Sequence, residues 1–457
     1  MPLRPGLATA GAARMSASST PPGDGTAGDG VDRLSGLPEG LLLDIVSRLG
    51  CAREAARTSV LSHCWHGLWA ELRELIFDDV GADALENVLA RVRPNLNRLD
   101  IVGVEFPWDR SPTATAAQTT ARISSLLRAA DRLAPAELVV RLSNYLNYGF
   151  LALAGAEIVK FEMPCFERAA SFVLNLSTLE FTLPPAGEFA SLEQLTMALD
   201  TVDLGELVPR CPRLRKLKVD FRRFVRNTVT VDSKSLQELD LMFMPNMETI
   251  GVVILAPELN KFRLVSLMSG VPTISLSAPK VAEFMLEYIY EQCQSRYRTS
   301  AERSFAQEVA LLPVNDFSVL KLSTGTQGHV FGPLALKLLW IRTSIQRLKL
   351  ILMADSYVDC SDCDCDQHGG WRNERVSLPE LEDVEIQGFS AADHEVDFLK
   401  LLLGSSPMLK RMNVKLYADE VSPSEEEGCR KLHSIFEANA SVKCNVYGKS
   451  GDQITFA

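Results

Sequence analysis

The sequence predicts an α/β chain: a small helical unit near the N-terminus, then an irregular solenoid whose parallel strands form a ladder on one face, with helices and loops on the other. Three observations lead there. Between residues 32 and 78, apolar residues recur at helical spacing in two short stretches separated by Gly50. From Leu96 to Val414 a cell keeps returning in which one apolar residue, two others, an apolar residue, one other and an apolar residue follow each other. Between Leu192 and Val281 the cells begin 22, 22, 23 and 22 residues apart, a fixed period of the kind that stacked repeats impose.

Composition sets the frame. With 457 residues there is room for a solenoid and an appended unit, and 46% hydrophobic with 23% charged residues is the balance of a folded globular protein. A net charge of −11 and a pI near 5.2 speak against a nucleic-acid partner, whose phosphates require a basic face, and against an anionic membrane. The chain holds no uninterrupted apolar run long enough for a membrane span, so no transmembrane helix is expected. Its ten cysteines are mostly scattered and fit a reducing interior, which implies an intracellular protein of the nucleus or the cytoplasm.

Residues 1–31 are rich in Gly, Ala, Ser, Thr and Pro without a sizeable apolar run, and are expected to be a disordered extension. The helical unit covers 32–78. In its first stretch Leu41, Leu42, Ile45, Val46 and Leu49 form one broad stripe. Pro38 suits a first helical position, where an N–H would go unpaired; Glu39 favours the positive end of the helix, and Gly50 supplies the stop. In the second stretch Leu61, Trp65, Leu68 and Leu72 repeat the pattern, widened by Val60 and Trp69. Two short helices cannot cover so many large apolar groups by themselves, so some must face the rest of the chain or another protein.

The run Asp32-Arg33-Leu34-Ser35, then Leu37-Pro38, then Ala56 to Ser62, Trp65 and Leu68-Trp69 resembles the plant form of the F-box. The resemblance implies a module that docks on the Skp adaptor of a cullin-based ubiquitin ligase. It also implies a docking face made of Leu37, Pro38, Leu41, Leu42, Ile45, Leu49, Val60 and Trp65. Two positions depart from the family's pattern: Gly50 stands where members have a proline, and His63-Cys64 where they have two basic residues. They motivate an alternative, a repeat scaffold that does not dock. A helical hairpin packed on its own solenoid is the plainer reading of the same stripes.

Residues 79–375 carry the repeats. The last two apolar residues of each cell alternate as in a strand, so both point inward, and successive cells stack as a parallel ladder around one shared core. Leu99/Ile101, Phe161/Met163, Leu179/Phe181, Leu217/Val219, Phe262/Leu264 and Phe284/Leu286 are examples. The pattern resembles the irregular leucine-rich repeats that follow plant F-boxes. After Val281 the period loosens, leaving room for insertions near 287–312 and 351–376.

The second insertion holds the one cysteine cluster of the sequence, Cys360, Cys363 and Cys365 with His368. Three thiols and an imidazole are the donors of a tetrahedral zinc shell. The cramped Cys-x-Cys spacing and the interleaved Asp362, Asp364 and Asp366 favour an exposed acidic loop instead. The run from Cys363 to Trp371 also looks like a loop common among cereal F-box proteins, so no metal or other cofactor is expected.

Residues 376–457 resemble, in part, the FBD region that ends many such plant proteins, through Ser377 to Ile386 and Phe398 to Met412. Val396, Leu399, Leu402 and Leu403 form a helix stripe, Pro407 breaks it, and Leu409/Met412/Val414 return as a strand. A further helix over Glu425–Ala438, with Cys429, Leu432, Ile435 and Phe436 on one side, is expected to cover the last open edge of the ladder.

A nucleophile elbow, a phosphate loop, the kinase set and an H-E-x-x-H zinc helix are all missing, and the six histidines are scattered. Together with the resemblance to plant F-box proteins, this implies a non-catalytic substrate-recognition subunit. Its partners would be the Skp adaptor, through it a cullin, and a target protein bound on the repeat surface. The alternative is a leucine-rich-repeat scaffold outside the ligase.

Overall fold

Strands laid one repeat apart account for most of the architecture. The computed structural model describes residues 34, 36–104, 112–142, 160–175, 180–199, 203–221, 228–243, 251–266, 273–289, 317–325, 331–341, 344–353, 369–373, 375–417, 423–448 and 450–454. Among these, fifteen strands form one sheet whose order follows the chain. They are β1 (Glu74–Asp78), β2 (Arg98–Val104), β3 (Glu137–Leu142), β5 (Ser171–Asn175), β7 (Gln194–Leu199), β8 (Lys216–Phe221), β10 (Glu238–Phe243), β12 (Lys261–Ser266) and β14 (Glu283–Ile289). The second half continues through β15 (Val319–Gly325), β16 (Arg347–Met353), β17 (Asp383–Phe389), β18 (Arg411–Leu416), β19 (Lys443–Tyr447) and β20 (Gln453–Ile454). Successive strands pair in parallel until β20, which closes the end antiparallel to β19. The fold is an α/β solenoid of leucine-rich-repeat type.

The register explains the recurring cell. Leu195, Leu217, Leu239, Phe262 and Phe284 stand opposite one another along the ladder, as do Met197, Val219, Leu241, Leu264 and Leu286, and all are buried. Each repeat thus buries its strand residues against its neighbours, worth about 1.5–3 kcal/mol for each large side chain. Aromatic rings reinforce the stack, with Phe221 on Phe243 at 5.0 Å and Phe262 on Phe284 at 5.5 Å between centroids. Gly103 (φ +67°) and Gly388 (φ +75°) sit where the register slips, and an added Cβ at Gly388 would meet the Leu352 carbonyl.

The structure departs from the sequence reading at several places. The Phe161/Met163 cell does not join the ladder, nor does Phe181 of the next one, whose Leu179 lies outside the described residues. Phe161 and Phe181 instead lie in β4 (Lys160–Glu162) and β6 (Glu180–Thr182), a separate parallel pair. The rung goes to β5, whose Ala169, Phe172 and Leu174 have the cell's spacing and are buried; the small leading alanine hid it.

The other face is not made of helices and loops alone. β9 (Val229–Asp232), β11 (Gly251–Leu255) and β13 (Thr273–Ser277) form a second parallel sheet. A period of about 22 residues leaves too little chain for a helix on the return, and Val229/Val231, Val252/Ile254 and Ile274/Leu276 alternate as strands do.

Helices occupy that side elsewhere. They include α3 (Ala82–Leu89), α4 (Pro112–Arg132), α5 (Leu204–Leu207), α6 (Gly332–Ile341), α7 (Asp393–Ser405) and α8 (Pro423–Ala438), preceded in the chain by α1 (Glu39–Ser47) and α2 (Ala52–Arg57). The ladder runs from β16 to β17 with continuous register, so the FBD-like stretch adds rungs to it. After α8 the chain lays down β19, and the hairpin with β20 covers the edge that the helix was expected to cover. Residues 1–31, most of both insertions, and Cys360, Cys363, Cys365 and His368 lie outside the described residues.

Candidate docking site

The helical unit begins at α1. Pro38 lies just before it and Glu39 in its first turn, where the helix dipole favours an acid. Gly50 follows with φ +69°, a conformation that stops the helix and that a proline, fixed near −65°, cannot adopt. After α2 the chain makes 3-10 turns at Thr58–Val60, His63–Trp65 and Leu68–Glu71 and enters β1 directly. Arg53 ties the unit to the ladder, its Nη2 donating to the carbonyls of Asp78 (3.0 Å) and Asp79 (2.6 Å) at the end of β1.

The eight residues expected to form one face separate into two sets. Leu42 and Trp65 are 2% and 3% exposed and pack, with Val46, Ala52, Leu68 and Trp69, into the hydrophobic core that continues through Leu75 and Phe77 of β1. Leu37 is partly buried against that core. Leu41 (52% exposed), Ile45 (36%), Leu49 (42%) and Val60 (87%) face solvent, and Pro38 is exposed as well. The split follows from helix geometry: Leu42 and Val46 lie on one side of α1, while Leu41 and Ile45, four apart, line the adjoining side, which Leu49 in the following turn extends. Leu34 and Leu61 are also exposed, and Leu61 carried a signal in its place on the second stripe.

A second candidate surface is the solvent face of the ladder. The first, third and fifth residues of each strand point away from the core, and many are charged. Opposite charges meet across strands: Lys216 with Glu238 (3.2 Å), Arg263 with Asp240 and Glu287 (3.0 Å each), Lys349 with Glu385 (3.0 Å), and Lys321 with Glu283. A shallow cavity of about 340 Å³ opens on this face between β7 and β14, lined by Thr196, Lys218, Asp240, Arg263 and Met285 among others. These side chains make an open surface of interleaved charges.

No protein-family model matches the chain. Over 423 residues it is 24% identical to an F-box/FBD/LRR-repeat protein of Arabidopsis thaliana, covering 85% of this chain and 92% of that one. Over 47 residues it is 51% identical to the MEIOTIC F-BOX protein MOF of Oryza sativa subsp. japonica, 10% of each chain.

Over most of its length the chain is thus similar to a plant F-box/FBD/LRR-repeat protein, and over a short stretch to a second plant F-box protein. Its helical unit, α1 through the last 3-10 turn, sits on the first rung of the repeats and shares their core. Among the described residues no helix is long and apolar enough to cross a membrane.

Proposed function

We propose that this F-box protein is a substrate-recognition subunit of a Skp-cullin-F-box ubiquitin ligase, holding the Skp adaptor through the F-box and a target protein on the ladder's solvent face. The observation that carries the reading is the exposed apolar stripe Leu41, Ile45 and Leu49, with Val60, on a unit that resembles an F-box. Three large aliphatic groups four residues apart, two on α1 and one in the turn that follows it, are costly in water unless a partner covers them. Leu42 and Trp65 act from beneath, fixing α1 and the turns that present the stripe. The chain does no covalent chemistry in this role; transfer of ubiquitin follows from proximity supplied by the assembly.

Binding of a purified plant Skp adaptor to the full chain tests this. Leu41→Asp/Ile45→Asp puts two charges where the contact is and is expected to weaken binding at least about a hundredfold, since each buried anchor is worth on the order of 2 kcal/mol. Thermal unfolding of the variant should match that of the parent, because both positions are exposed. Absence of adaptor binding by the parent chain would end the ligase reading. It would leave the repeat scaffold that does not dock, a reading that the glycine-shaped turn at Gly50 favours.

A further inference from the structure

We infer that the C-terminal part of the ladder's solvent face, over β15–β19, binds an acidic, extended segment of a partner protein. The inference rests on reading that face as the target-binding surface and names the chemistry of the target. Charge along the ladder carries it. At the first, third and fifth positions of β15–β19, six cations (Lys321, Arg347, Lys349, Arg411, Lys415 and Lys443) stand against two acids, Asp383 and Glu385. At the same positions of β1–β14, acids outnumber bases nine to six. A positive field confined to five rungs of a chain with net charge −11 is a local feature, distinct from the general charge of the molecule.

The acids on this stretch are already engaged. Arg411 grips Asp383 with two hydrogen bonds, of 2.6 and 2.9 Å, and holds its carboxyl below the ordinary range, while Lys349 pairs with Glu385. Arg347, Lys415 and Lys443 make no ion pair or side-chain hydrogen bond among the described residues. Lys415 and Lys443 keep their charge for a ligand, while Arg347 also acts at longer range on the Asp383 and Glu283 carboxylates. Arg347 and Lys443 stand in register with Asp383 and Arg411 on the first column, and Lys415 lies across from Tyr447 on the fifth.

Rungs lie about 4.8 Å apart, so the patch from β15 to β19 spans roughly 19 Å, the length of about six extended residues. A short peptide with acids at alternate positions matches that span. A nucleic acid long enough to bind tightly would run on over the acid-rich rungs from β14 backwards, where its phosphates are repelled.

The test uses the full chain at low ionic strength, where such pairing is least screened. Probes are a fluorescein-labelled peptide alternating Glu and Ser, its Lys-Ser counterpart, and an oligodeoxythymidine of equal length. Saturable binding of the Glu-Ser peptide alone is expected, weakened about tenfold or more by Arg347→Glu/Lys415→Glu/Lys443→Glu and unchanged by Arg213→Glu/Lys234→Glu/Lys400→Glu, which reverses as many charges away from this face. Unfolding curves and adaptor binding of both variants should match the parent. Equal loss in both variants, equal affinity for the oligonucleotide, or no binding of the Glu-Ser peptide by a chain that holds the adaptor would overturn the proposal and leave the ligase reading standing. Peptide binding by a chain that does not hold the adaptor would uphold this surface and end that reading instead.

Discussion

At the scale of the residue, one pattern of apolar spacing hides two jobs. Trp65 and Leu41 belong to the same sequence signature, yet Trp65 is enclosed by the core and Leu41 is open to solvent. Trp65→Ala is therefore expected to destabilise the chain by about 3–5 kcal/mol, through lost burial and the cavity left behind. Leu41→Ala should change stability by less than about 0.5 kcal/mol. Urea unfolding followed by fluorescence compares them, using Leu42→Ala as a buried reference without loss of a fluorophore; equal costs for Leu41→Ala and Leu42→Ala would show that α1 is not oriented as described.

At the scale of the element, the start of α7 carries a buried carboxylate. Glu395 accepts hydrogen bonds from the backbone N–H groups of Ser390 (2.8 Å) and Ala392 (3.3 Å), satisfying donors at the helix N-terminus. Burial pushes its pKa up to about 7 even so, the backbone donors opposing the rise. The folded state then holds a proton that the unfolded chain releases at lower pH. Glu395 thus contributes stability that is full below about pH 4.5 and is lost as pH rises through 7. Glu395→Gln keeps an acceptor without the charge. The stability difference between parent and variant is expected to shift against the parent by on the order of 3 kcal/mol between about pH 5 and pH 8. Denaturant unfolding across that range measures it, and a difference independent of pH would mean that Glu395 is better solvated than its burial indicates.

At the scale of the whole molecule, the N-terminal helical unit is the first cap of the solenoid as well as the proposed docking unit. Its buried residues and those of the ladder belong to one hydrophobic core, with no linker between the last 3-10 turn and β1. An end repeat needs such a cap because the outer edge of β1 would otherwise present unpaired backbone groups. A chain lacking residues 34–72 is expected to self-associate, visible as higher oligomers in size-exclusion chromatography, whereas the full chain stays monomeric. A monomeric truncated chain would mean that the repeats close their own edge. Under the proposed function, the shared core would fix the adaptor site relative to the target face and present a bound target in a set orientation.

The sequence by itself determined the repeats and the helical unit, because stacking at a fixed period forces apolar residues into a regular cell and helix packing forces them into stripes. Leu195/Met197 and Leu217/Val219 are legible for that reason alone. Tertiary structure decided what periodicity does not encode. It sent the Phe161 strand to a side pair and gave the rung to Phe172, since the leading methyl of Ala169 suffices once its neighbours close around it. It turned the return segments after β8 into a second sheet. It divided the F-box stripe into a buried set and an exposed one, since which side of α1 meets the core depends on how the turns around Trp65 fold back onto β1. It also gathered Arg347, Lys415 and Lys443, far apart in the chain, onto one face, because parallel register brings equivalent positions of successive repeats within one strand spacing of each other.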